Sequence, residues 1–150
     1  MQPPALLPRS ITSRLSAADN VADDHMADTD SPAASLQHPL ALPMGEVLDR
    51  LGGDRDLLAL LVDIHRREAP AALNEMRMRA EANDAVSVEK AAHRLVGSLL
   101  VFGAADAAEA ARTIEHLALE GRLGDVRQRL STLDLELGRV SAALDRVPLP

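Results

Sequence analysis

His93 stands in the run Ala91-Ala92-His93-Arg94-Leu95-Val96-Gly97-Ser98, with Gly103-Ala104 shortly after it. Histidine is the one side chain that offers a neutral nitrogen nucleophile at pH 7 without a second group to activate it. On a helix, Gly97 falls one turn beyond His93 on the same face and removes the side chain that would crowd an incoming group. Lys90, the single lysine of the chain, lies one turn before His93 on that face, and Arg94 follows it directly. These residues suit a histidine that carries a phosphoryl group. No other constellation competes. His65 and His116 lack partners at metal-ligand spacing, no Glu-x-x-His occurs, there is no cysteine, and no glycine-rich nucleotide loop is found.

The elements around His93 read as helices. Met44 to Leu51 forms a short helix stopped by Gly52-Gly53. Asp54 caps a second helix that runs to about Ala82, with Leu57, Leu61, Ile64, Leu73, Met76 and Ala80 on one side. Pro70 predicts a kink or a break in it. After Asn83-Asp84, Asp84 caps a third helix to Phe102, whose core stripe is Val88, Ala92, Leu95, Leu99 and Phe102. His93 lies about 100° round from Ala92 and is expected to be exposed. Gly103 ends this helix. A fourth runs from about Ala105 to Glu120, and its small inner face (Ala107, Ala108, Ala110, Ala111) can receive the bulk of Leu99 and Phe102. The last, from about Leu123 to Arg146, carries Val126, Leu130, Leu133, Leu137, Val140 and Leu144 at steps of four and three. That stripe reads as core rather than as an oligomer seam. Asp134 and Glu136 read as a solvated face, His65 as the edge of the core, and Ser98 as a small residue bonding back to its own helix. The predicted fold is all-α: an up-and-down antiparallel four-helix bundle over residues 41–147 with a short preceding helix.

Composition agrees. The chain is 47% hydrophobic but only 1% aromatic, so aliphatic side chains must fill the core. A net charge of −7, with neither a basic stripe nor stacking aromatics, argues against nucleic acid as a partner. No apolar run reaches the ~20 residues of a membrane span. Residues 1–40, rich in proline, serine, alanine and aspartate and holding His25 and His38, are expected to form a disordered tail. A cytoplasmic monomer is expected.

From about Leu48 to Leu144 the chain resembles the histidine phosphotransfer (HPt) domains of multistep phosphorelays. Leu51-Gly52-Gly53-Asp54 with Leu57-Leu58 is similar to the opening of the family's second helix. Ala92-His93-Arg94-Leu95-Val96-Gly97-Ser98 resembles the family's Ala-His-x-Leu-Lys-Gly-Ser, and Gly103-Ala104, Ile114-Glu115 and Gly121 continue in register. The resemblance implies that His93 is the phosphorylated residue. It also implies receiver domains of response regulators and hybrid kinases as partners, Mg²⁺ supplied by the receiver, no cofactor of the domain's own and no autokinase activity. The chain departs from the pattern at Val96, where the family has a lysine that holds phosphoryl oxygens. Lys90, with Arg94 as the alternative, is expected to stand in for it. Gly97 would allow close approach of the partner, and Val96, Leu100 and Val101 would form an apolar docking rim.

Val96 also keeps open a second reading, a non-phosphorylated adaptor that docks and sequesters or scaffolds a receiver or kinase. A dimerising kinase core fits less well. Arg94 rather than an acid follows the histidine, and no proline comes after it until Pro148.

Overall fold

A computed structural model describes residues 39–150, which form one compact unit, Pro39–Pro150. The tail predicted for residues 1–40, with His25 and His38, lies outside the described residues apart from its last two positions. Of those two, Leu40 is half-buried against the core.

Five helices make up the described chain: α1 Met44–Arg50, α2 Arg55–Glu81, α3 Ala85–Val101, α4 Ala105–Leu119 and α5 Leu123–Leu144. No strand occurs among these residues. Each long helix packs on the next in sequence, and α2 closes the ring against α5. The result is the up-and-down four-helix bundle expected from periodicity, with α1 as the short leading helix.

The short connections follow from one repeated device. A residue with positive φ (Gly52, Asn83, Gly103 or Gly121) ends each of the first four helices. The next amide then reaches back to the last turn: Gly53 to Leu48, Asp84 to Arg79, Ala104 to Leu99 and Arg122 to Leu117, at 2.8–3.1 Å. Two of the following helices start on a carboxylate. Asp54 Oδ1 accepts from the Leu57 amide at 2.9 Å, and Asp84 Oδ1 from the Ser87 amide at 3.1 Å. At Gly103 glycine is required twice over. Its φ is +68°, and an added Cβ would stand 2.6 Å from Cγ of Pro43, which leads into α1.

The core is aliphatic around Phe102, Met76, Leu99, Ile114, Leu133 and Leu144, all buried. Val47 of α1 joins it, and Arg50 of the same helix donates to the Val101 carbonyl at 3.3 Å, tying α1 to the end of α3. Ala107, Ala108 and Ala111 of α4 are buried as expected, and α3 and α4 share the most extensive helix contact.

Helix α2 runs through Pro70, whose ring is exposed, so of the kink or break expected there the break does not occur. Three expectations need correction. The inward line of the first half of α2 is Leu58, Val62, His65 and Ala69, one residue round from the predicted Leu57, Leu61 and Ile64. Consecutive apolar residues from Leu57 to Val62 allow either register, and the inward line is the one that continues to His65 and Ala69. The ring of His65 is buried, 3% exposed, and its Nδ1 lies 2.9 Å from Oγ of Ser98. It also meets Phe102 edge-on with ring centres 5.2 Å apart. Ser98 thus bonds across to α2 rather than back along α3. Finally, Glu136 is not on a solvated face. It falls on the inward side of α5 between Leu133 and Val140, is 8% exposed and pairs with Arg139 at 3.1 Å.

Burial lowers the pKa of His65 from its ordinary 6.5. Above that value neither the folded nor the unfolded chain holds the extra proton. As pH falls through it, the unfolded chain binds a proton that the buried ring resists, and stability is lost. The denaturation midpoint of the wild type should therefore fall more steeply between pH 7 and pH 5 than that of His65→Leu. Parallel midpoint curves would contradict this assignment.

Candidate functional site

Helix α3 turns Val88, Ala91, Ala92, Leu95, Val96 and Leu99 inward. That leaves His93 on the outer face, with 72% of its side chain exposed. Its Nδ1 lies 2.7 Å from Oε1 of Glu115 on α4. The Glu115 side chain is only 16% exposed, next to the buried Ile114, so the carboxylate is held at the foot of the imidazole and not free in solvent. A carboxylate can only accept, so Nδ1 carries the proton and donates it. In the neutral ring the lone pair then lies on Nε2. An exposed imidazole with one ring nitrogen anchored by a carboxylate is the chemical content of this site.

The surroundings leave room for a reacting group. Gly97 is exposed, and a Cβ built on it would meet nothing within 4 Å. Lys90 is also exposed and shares the His93 side of α3. Its charge acts on the Asp84 cap, where the Ser87 hydrogen bonds and then nearby cations hold the carboxyl below its ordinary pKa. Arg94 leaves the site in the other direction. Its Nη2 donates to Oε2 of Glu75 on α2 at 2.9 Å, while His93 leans towards α4.

The apolar rim is smaller than expected. Leu100 and Val101 are 42% and 38% exposed, but Val96 is 7% exposed and belongs to the core. At the third position after His93 the helix has already turned that side chain towards the bundle interior, so Val96 offers no docking surface. His116 is exposed in the last turn of α4. Among the described residues, no three His, Cys, Asp or Glu side chains gather as a metal site.

Glu115 entered the sequence reading only as part of the family register, with no role at the site. It was within reach: His93 and Glu115 are equidistant from Ala104, where the chain reverses between α3 and α4. In an antiparallel hairpin such residues come level with each other.

No curated protein and no solved structure matches the chain. The family model described as Hpt domain does match, over residues 60–143, more than half of the chain and most of the bundle, including His93 and Glu115. The exposed, anchored histidine on a four-helix bundle and this match agree, and the chain belongs to the Hpt domain family.

Proposed function

We propose that the protein is a phosphocarrier that takes a phosphoryl group from the aspartyl phosphate of one receiver domain onto Nε2 of His93 and passes it to a second receiver. The observation that carries this reading is the Nδ1–Glu115 hydrogen bond, which leaves Nε2 as the free lone pair on an exposed ring. The lone pair attacks phosphorus in line, the N–P bond forms, the P–O bond to the aspartate breaks, and the carboxylate leaves. The ring gains a positive charge and keeps its Nδ1 proton, facing the Glu115 carboxylate. On delivery the N–P bond breaks, the electron pair returns to Nε2, and a neutral imidazole departs. Mg²⁺ belongs to the receiver's acidic pocket in this scheme. Leu100 and Val101 offer the apolar edge for docking, and Gly97 permits close approach. With no nucleotide loop in the sequence, the domain depends on its partners for phosphate and acts as a carrier without autokinase activity. In this reading it works in the cytoplasm, as a monomer.

Incubating the full chain with a panel of phosphorylated receivers should transfer acid-labile phosphate to the wild type and none to His93→Gln. Glu115→Ala should slow transfer by about tenfold, equivalent to ~1.4 kcal/mol, with Glu115→Gln milder because the amide oxygen still accepts from Nδ1. Receiver binding without any label on the wild type would make the domain a docking adaptor instead.

Gly97 supplies an independent check, since an exposed mid-helix glycine sacrifices roughly 0.5–1 kcal/mol relative to alanine. Gly97→Ala should raise the unfolding free energy by that amount in urea titration. Gly97→Leu should fold and yet transfer more slowly. Undiminished transfer by Gly97→Leu would remove the close-approach role.

A further inference from the structure

The family pattern places a lysine where this chain has the buried Val96, so the cation for the phosphoryl oxygens must come from another position. Arg94 is engaged by Glu75 on the α2 side, away from the leaning ring. A third cation stands on α4. The His93–Glu115 bond sets the register of the antiparallel pair. Three residues on from His93 along α3 is Val96, and three residues back from Glu115 along α4 is Arg112. Arg112 is therefore level with the position of the missing lysine, about 4.5 Å along the axis from Glu115.

Its environment suits the task. The Arg112 side chain is 40% exposed, and its ion pair is a 3.5 Å contact with Glu109 on its own helix. An exposed i,i+3 pair of this kind contributes about 0–1 kcal/mol, so a phosphoryl dianion can compete for the guanidinium. At the same level Gly97 places no side chain between α3 and the incoming group. Arginine's planar fork can hold two phosphoryl oxygens in a fixed bidentate geometry, where an ammonium acts as a point charge.

We propose that Arg112 binds the phosphoryl group on His93 Nε2, supplying from α4 the charge that the family pattern supplies from α3. This rests on the phosphocarrier reading. The guanidinium also offsets repulsion between the arriving dianion and the Glu115 carboxylate, the group that anchors the ring. During transfer the N–P bond forms as the P–O bond to the aspartate breaks, and Arg112 stays on the non-bridging oxygens throughout.

The test uses the full chain phosphorylated by phosphoramidate, which gives its phosphoryl group to imidazole and releases ammonia. Phosphorus NMR of the phosphohistidine, and the rate of transfer onward to a receiver, are compared for wild type, Arg112→Ala, Arg112→Lys and Lys90→Ala. The expected result is a shifted phosphorus resonance and a transfer rate lowered at least tenfold in Arg112→Ala, partial recovery in Arg112→Lys, and an unchanged melting midpoint. A wild type phosphorylated on His93, with Arg112→Ala matching it in resonance and rate, would overturn the assignment and leave the carrier reading standing. Loss in Lys90→Ala but not in Arg112→Ala would overturn it likewise, in favour of the lysine. A wild type that takes no phosphate on His93 would bring down the carrier reading and this assignment together.

Discussion

The 2.7 Å bond between His93 and Glu115 forms because α3 and α4 lie close together along their length. Alanine makes that approach possible. Ala91 and Ala92 on α3 and Ala107, Ala108 and Ala111 on α4 are all buried, while Phe102 and Leu99 fill the volume they leave. A bulkier residue on this inner face of α4 would push the helix outward and take the Glu115 carboxylate away from the imidazole. The packing of small side chains thus sets which nitrogen of an exposed histidine is hydrogen-bonded. The turn at Gly103 sets the same geometry from the other side. Its positive φ and its contact with Pro43 fix where α3 stops and hence which residues of α4 come level with His93.

Helix α3 is bound to α2 on one flank as it is bound to α4 on the other. His65 and Ser98 join the two helices through one hydrogen bond beneath the site, and Arg94 and Glu75 join them at the surface. Helix α3 is therefore held on both flanks while the His93 side faces solvent. Such a platform presents the ring without reorganisation, and a group that needs to approach within bonding distance meets a fixed target.

Much of this was legible in the sequence, for identifiable reasons. Helix ends were marked by glycine after the last apolar residue, and by Asp54 and Asp84 before the first. The α5 stripe was legible because leucines and valines recur at steps of four and three with polar residues between them. In α2 the signal was ambiguous. Apolar residues occupy neighbouring positions from Leu57 to Val62, and the true inward residue His65 is polar, so the periodicity favoured the wrong line. Pro70 allowed a kink or a break, and no break occurs: an exposed proline costs a helix one hydrogen bond, and so long a helix continues through it. His93, Gly97 and the family resemblance pointed to the candidate site. Glu115 was read only as part of the family register because its contact with His93 arises from pairing between helices, and Val96 was assigned to the rim because spacing from His93 alone does not say how far the core extends round α3.

The most direct test is nitrogen-15 and phosphorus NMR of the uniformly labelled full chain, before and after phosphorylation. The account predicts that the unmodified His93 ring holds its proton on Nδ1, that phosphorus then couples to Nε2, and that the Nδ1 proton remains in the phosphorylated ring. Phosphorus bonded to Nδ1, or an unmodified ring protonated on Nε2, would contradict it.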